Sequence, residues 1–594
     1  MANDIISLYR AKLALEKGAV RKDWGGKLSV ALIYPNYYRL GMSNLGFQLV
    51  YHLFNKRPDV VCERVFLPED HEMSLCLQPG KSLLSLESQS RLQKFDLLAF
   101  SLSFENDYPN ILKILELSNI PFFVDERADP CPFIMAGGVT TSLNPEPLAS
   151  FFDFFLLGEA ETNLNEFIDL FKELNKSGLG RYEIRLKLAQ NINTLYVPSL
   201  YRPEYNQDGT LKSFLPENDS VPERVKSAWF PVNEESDDNV AFSTITTPDT
   251  EFGNKILIEL GRGCGQSCRF CAAGYVYRPP RIHTEEALRN CFEKAMNRSD
   301  RVGLLSAVVS DVPGIGNLAA LIINRGCRFS VSSLRAESLT PELLDHLKQA
   351  GQRTITIAPE AGSERLRRVV NKHLTNDKII EAVKLIARTG DFSIKFYFLI
   401  GLPTEANKDL AEIADLVKSI RHNIIKESAL RGRIGRIKLS VNCFVPKPFT
   451  PFQWFPFEQI LSLKKKQKWL KKSLAKEGGI KISFDVPRWA YVQSLLAMGD
   501  RRVGSILLKA HRLGGNWKKA MRFSDVNPDF FVYRPKNLDE LLPWDFIDHG
   551  ILKRYLESEY KMALKAEESD ICHVGKCVRC GVCARGNDSA TDLR

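Results

Sequence analysis

No apolar run in this 594-residue chain reaches the length that crosses a bilayer. Residues 1–27 mix charges with apolar residues at helical spacing and lack the unbroken apolar core of an export signal. These absences argue against membrane insertion and point to a cytoplasmic protein. Acidic residues are scarce in one place: between residues 461 and 524, three of them face sixteen Lys and Arg. That stretch carries +13 and the whole chain +10, so the remainder nets −3. Its lysines, with Trp469, Trp489 and Trp517 among them, read as a solvated helix face or as a grip on nucleic acid.

The length implies several domains, and the 44% hydrophobic content is that of an ordinary globular protein. Seven of the thirteen cysteines crowd into two groups, which suggests metal ligation in a reducing compartment rather than disulfides. The first group is Cys264, Cys268 and Cys271, spaced C-x3-C-x2-C in a glycine-rich loop behind a strand-like apolar run. Three thiolates on one short loop can hold three corners of a cubane iron–sulfur cluster. Runs built for electron transfer usually supply four. With three, one iron stays open, as chemistry at a metal requires. Zinc is the plainer reading, but it usually takes a fourth Cys or His. The nearest candidate, His283, lies beyond the Pro279-Pro280 break.

C-x3-C-x-aromatic-C after a first strand resembles the signature of the radical S-adenosylmethionine superfamily. The resemblance implies a 4Fe-4S cluster whose open iron binds S-adenosylmethionine and cleaves it reductively. A 5'-deoxyadenosyl radical then takes a hydrogen atom from substrate. It also implies a partial (β/α)6 barrel and a reductant such as flavodoxin or ferredoxin.

Residues 28–190 alternate strand and helix signals, with strands expected near 28–34, 96–101, 133–138 and 151–159. Such alternation predicts a Rossmann-like, doubly wound parallel sheet, with Gly138 and Gly158 at strand ends where ligands bind. Gly137-Gly138, Pro145-Glu146-Pro147 and Gly158-Glu159-Ala160-Glu161 resemble the cobalamin-binding-like domain of one subgroup of the superfamily. Cobalamin is thereby implied as a further cofactor. The D-x-H-x2-G motif that supplies cobalt with a histidine is missing, because Asp70-His71 lacks the following glycine. Residues 191–250 read as a small β insertion and linker, with a hairpin turn at Asp208-Gly209 and an acidic stretch from Glu234 to Asp238.

The βα alternation returns over 251–455, with strands expected at 302–309, 328–334, 354–359, 393–400 and 436–444 after the first. Barrel chemistry lies at carboxyl strand ends, which here carry Ser310, Asp311, Ser333, Arg335, Glu360, Ser363 and Gly401. The resemblance assigns Ser333 and Arg335 to the ribose or carboxylate of S-adenosylmethionine. A guanidinium suits a carboxylate because it gives two parallel hydrogen bonds. Residues 358–363 resemble a Glu-x-Gly-Ser element, in which Ser363 reads equally as a helix cap. Where relatives often carry Gly-Gly-Glu, this chain has Ser306 to Asp311.

Residues 456–566 read as basic and mainly helical, and 567–594 as a Cys-rich tail. Cys572, Cys577, Cys580 and Cys583 are dense enough for a second 4Fe-4S cluster or for zinc, with His573 as a further ligand. The chain is thus read as an α/β radical enzyme that activates a C–H bond, with cobalamin-dependent methylation among its outcomes. The rivals are an RNA-modifying, methylthiotransferase-like enzyme and an iron–sulfur electron carrier or scaffold. No catalytic side chain stands out beyond the cluster ligands.

Overall fold

The computed structural model describes residues 4–231, 240–429 and 435–583. The acidic stretch from Glu234 to Asp238 falls outside them, as does the end of the tail. A helix, Ile5–Ala14, leads in, N-capped by Asp4.

The first sheet contains β1 (Leu28–Tyr34), β2 (Val60–Phe66), β3 (Leu97–Ser101), β4 (Phe133–Gly137), β5 (Phe154–Leu156) and β6 (Leu195–Tyr196). Their order is β2-β1-β3-β4-β5-β6, parallel except for the last pair. β1 is apolar or small throughout and every residue is buried, as a central strand covered on both faces requires. The strand order reverses between β1 and β3, where a crevice opens at the carboxyl ends. β2 was absent from the expected strands because Glu63 and Arg64 interrupt its apolar run. Arg64 is fully buried and pairs at 2.6 Å with both Glu16 and Glu87. Glu63 accepts from Trp24 and Ser85. Charge is tolerated in a core where its hydrogen-bonding groups are met.

The expected hairpin follows, Tyr201–Tyr205 with Leu211–Pro216, and Gly209 takes φ +87° at its turn. The central sheets are β7 (Ile256–Glu259), β8 (Arg301–Leu305) and β9 (Arg328–Val331), then β10 (Thr354–Glu360), β11 (Ser393–Ile400), β12 (Ile437–Cys443) and β13 (Ile480–Phe484). Each sheet is parallel, but no ladder joins β9 to β10. Only single bonds cross that seam, such as Leu334 N–H to Thr356 O at 3.0 Å. The barrel is therefore partial. β13 is one strand more than expected and lies within the basic region. Its alternation Ile-Lys-Ile-Ser-Phe, half-buried at an edge, is a weak signal among lysine-rich helices. That region is otherwise helical, with Ile460–Ser473, Pro487–Met498 and Val503–Arg512.

The carboxyl-terminal part clamps back onto the first sheet. Asn144 donates to the carbonyls of Ala497 and Gly499, and Arg501 pairs with Glu146 at 2.9 Å. Among the described residues no helix is long and apolar enough to cross a membrane.

Candidate functional site

The loop after β7 is closed by a two-residue stem, in which Gly261-Arg262 pairs antiparallel with Arg281-Ile282. Within it, Gly263 takes φ +78°, and a Cβ there would stand 2.5 Å from the Tyr277 carbonyl, so only glycine fits. Arg269 fixes the loop from behind. It is fully buried, its backbone N–H donates to Val370 O, and its guanidinium reaches the carbonyls of Arg368, Val369 and Glu567 and the Glu559 carboxylate at 3.0 Å. Asn371 Nδ2 donates to Ser267 O at 3.2 Å. Both Asn371 and Ser267 occupy left-handed backbone positions, a strain the surrounding bonds hold in place.

Cys264, Cys268 and Cys271 sit together on this loop, each near enough to feel another's charge. Burial pushes all three thiols up, Cys268 to about 11, and each is raised further by another of the three. Lys372 opposes that rise at every one. Its ammonium is itself held above its usual range by Glu360, 3.4 Å away, and by Cys268 and Cys271, against the pull of burial. Glu360 ends β10 at φ +67°, and burial raises its carboxyl while Lys372 lowers it. A cation facing three half-buried thiols suits a thiolate-bound cluster, whose ligands must lose their protons. Among the described residues no three ligating groups converge on a single ion. A cubane gives each sulfur its own iron and needs no such convergence.

The other expected residues divide. Ser310 has a buried hydroxyl with no hydrogen-bond partner among the described residues, beside the loop's Asp311 contact. Arg335 pairs with Asp311 at 3.1 Å and with Glu337, and Gln266 of the cysteine loop donates to the same Asp311. Ser363 caps the helix Glu364–Val369 and donates to Asp409 at 2.5 Å, a structural use. Gly401 takes φ +84° at the end of β11, with its N–H on Glu405. His283 sits buried at the stem, lowered to about 4 by burial and by Arg262 and Arg281.

A cavity of about 560 Å³ joins the two halves, within the range of cofactor sites. Gly138 and Gly158 line it from the first sheet; Gly261, Leu305, Ser306 and Ser332 line it from the barrel. Ser332, rather than its neighbour Ser333, faces the space. The helix Leu45–Lys56 gives an apolar wall through Leu45, Leu49 and Phe54. His549 also lines it, with Nε2 2.7 Å from the Ser142 carbonyl. Arg262 ties the halves across the rim, meeting Glu259 at 2.9 Å, Glu161 at 2.5 Å and Glu159 at 3.4 Å.

The tail group docks on the same loop. Cys580 is buried, and burial, then Cys580, Cys583 and Cys577, raises Cys572. Cys577 is lowered, chiefly by the backbone N–H and side chain of Arg579. Reasoning from sequence passed over Lys372, Arg269 and His549, whose partners lie 12 to more than 400 residues away. No local pattern marks them.

Residues 258–417 match the family described as the radical SAM superfamily, and 46–198 that described as radical SAM proteins, N-terminal. An uncharacterized protein of Methanocaldococcus jannaschii, MJ0966, is 31% identical over 81% of this chain and 90% of its own. A tRNA-2-methylthio-N(6)-dimethylallyladenosine synthase of Francisella tularensis subsp. novicida is 25% identical over 30% of this chain and 44% of its own. A solved structure of the cobalamin-dependent S-adenosylmethionine radical enzyme OxsB with aqua-cobalamin bound aligns over 81% of this chain and 66% of that one, at 14% identity and a TM-score of 0.40.

Proposed function

The chain belongs to the radical S-adenosylmethionine superfamily, and from that premise we propose that it activates a substrate C–H bond, with cobalamin in the shared cavity, as a methylating enzyme. Cys264, Cys268 and Cys271 hold the 4Fe-4S cluster. When bound, the cluster supplies the electron that cleaves S-adenosylmethionine, and cobalamin supplies a transferable methyl group. Lys372 offsets the negative charge of the three thiolates and keeps their protons off. Ser310 offers a hydroxyl with no hydrogen-bond partner among the described residues, suited to a polar group of the cofactor. Glu159, Glu161 and Arg262 hold the first sheet against the cysteine loop, so the two cofactor regions keep a fixed separation.

The observation that carries this reading is the cavity, continuous from the glycine-lined strand ends of the first sheet to the barrel strands beside the cysteine loop. The missing D-x-H-x2-G motif means that the chain would hold cobalamin without that histidine. The tail cysteines suit a second 4Fe-4S cluster, because their C-x2-C-x2-C spacing is that of ferredoxin runs. A one-electron donor of the flavodoxin or ferredoxin class completes the system. The test is anaerobic reconstitution with iron, sulfide and hydroxocobalamin. Retained corrin and 5'-deoxyadenosine formation that vanishes in Cys268→Ala are expected. Protein that retains no corrin sinks the cobalamin assignment; product unchanged in Cys268→Ala sinks the cluster assignment.

A further inference from the structure

The helix Ile460–Ser473 buries Leu463 and Leu470 against the barrel and turns its other side outward. Lys464, Lys468 and Lys471 stand exposed there on one helical stripe, and Lys465, Trp469 and Lys472 on the next. None of these lysines has an acidic partner within ion-pair distance among the described residues. Lys466, between them, behaves differently, meeting Glu405 at 2.5 Å and Glu458 at 2.6 Å. Glu405 lies in the loop after the carboxyl end of β11, so Lys466 fastens the helix to the rim of the barrel mouth. Trp489 sits just past the carboxyl end of β13, on the same rim, 40% exposed with Arg488 5.0 Å over its ring. Trp469 is 42% exposed.

Two features select the occupant. A row of unpaired ammonium groups matches a phosphate backbone. The Trp469 indole, open within the row, matches the face of an unpaired base, which stacks on aromatic rings whatever its sequence, and Trp489 offers a second ring at the rim. A membrane surface fits less well, because Leu463 and Leu470 are buried and the outward side is chiefly lysine, with Leu461 and Trp469 as its exposed apolar residues rather than a continuous apolar face. An acidic protein gives the indoles no role. Folded RNA presents unpaired bases beside closely spaced phosphates in its loops. We propose that this face binds a single-stranded loop of RNA and leads it to the barrel mouth, making RNA the substrate class. The binding stands alone; the delivery rests on the mouth being the reaction site.

Fluorescence anisotropy of the full chain with a labelled RNA stem-loop tests the proposal. Affinity should fall steeply as salt rises from about 50 to 200 mM. The variant Lys464→Ala/Lys468→Ala/Lys471→Ala should flatten the log–log salt slope by roughly 2, at about 0.7 per lost contact. Trp469→Ala should weaken binding on the order of tenfold and leave the slope intact. Thermal melts of all variants should match the parent. Unchanged affinity and slope in the triple variant overturn the proposal, as does equal binding of single-stranded DNA of the same sequence or of phosphatidylserine vesicles. Substrate-free 5'-deoxyadenosine formation, followed in parallel, tests the reaction site separately and should be the same in all variants.

Discussion

The backbone N–H of Cys572 donates a 2.7 Å hydrogen bond to the carbonyl of Gly265, so the second cysteine group rests on the loop that carries the first. A Cβ on Gly265 would lie 3.3 Å from Cys572 O, which leaves no room for a branched side chain. Reconstituted protein is expected to hold about twice the iron of a Cys572→Ser/Cys577→Ser variant, one cubane at each group. Gly265→Val should lose the tail's share. Metal analysis checks both, and zinc in the tail, or equal iron in parent and double variant, counts against the second cluster.

Lys372 and Glu360 form an ion pair sunk beside the thiols. Lys372→Met leaves the carboxylate uncompensated and should cost about 3 kcal/mol in denaturant unfolding. Adding Glu360→Gln should recover much of it. The same Lys372→Met change removes the cation facing the cluster, so its midpoint potential should drop. An unmoved potential would show that the ammonium is not felt there.

His283 offers a pH signature. Its folded-state value, about 4, lies below the ordinary histidine value of 6.5. A depressed value favours the neutral ring in the fold. The contribution is therefore whole above pH 6.5 and lost as pH falls toward 4. It amounts to about 3 kcal/mol. The cofactor-free protein should lose that much over this interval, and His283→Gln should flatten the loss. Parallel stability curves for parent and variant would refute it.

Gly158 takes φ +94°, and a Cβ there would stand 2.2 Å from Ala228 N and O. Gly158→Ala should destabilise the first sheet by roughly 3 kcal/mol and abolish corrin retention. Because Gly158 supplies no thiol to the cluster, iron content should hold. Thermal melts and metal analysis separate the two effects.

The cysteine loop was legible in the sequence because spacing alone places three thiols on one turn. The strands were legible where apolar residues dominated, as in β1 and, despite Lys395, in β11. β2 hid behind Glu63 and Arg64, since only the fold shows that Glu16 and Glu87 neutralise Arg64. Lys372 and Arg269 were illegible for the same reason: each owes its role to groups far along the chain. Ser363 stood between two readings that no pattern separates, and Asp409, in the first turn of the helix after β11, decides it.

Among the described residues β13 pairs only with β12, and no strand covers its outer side. A second chain could in principle extend the sheet there. Lys481 stands exposed in the middle of that strand. Any molecule adding itself would have to strip water from the ammonium group. The barrel's incomplete wall thus carries its own guard against sticking to copies of itself, and exchanging that lysine for valine would turn the rim into a template for aggregation.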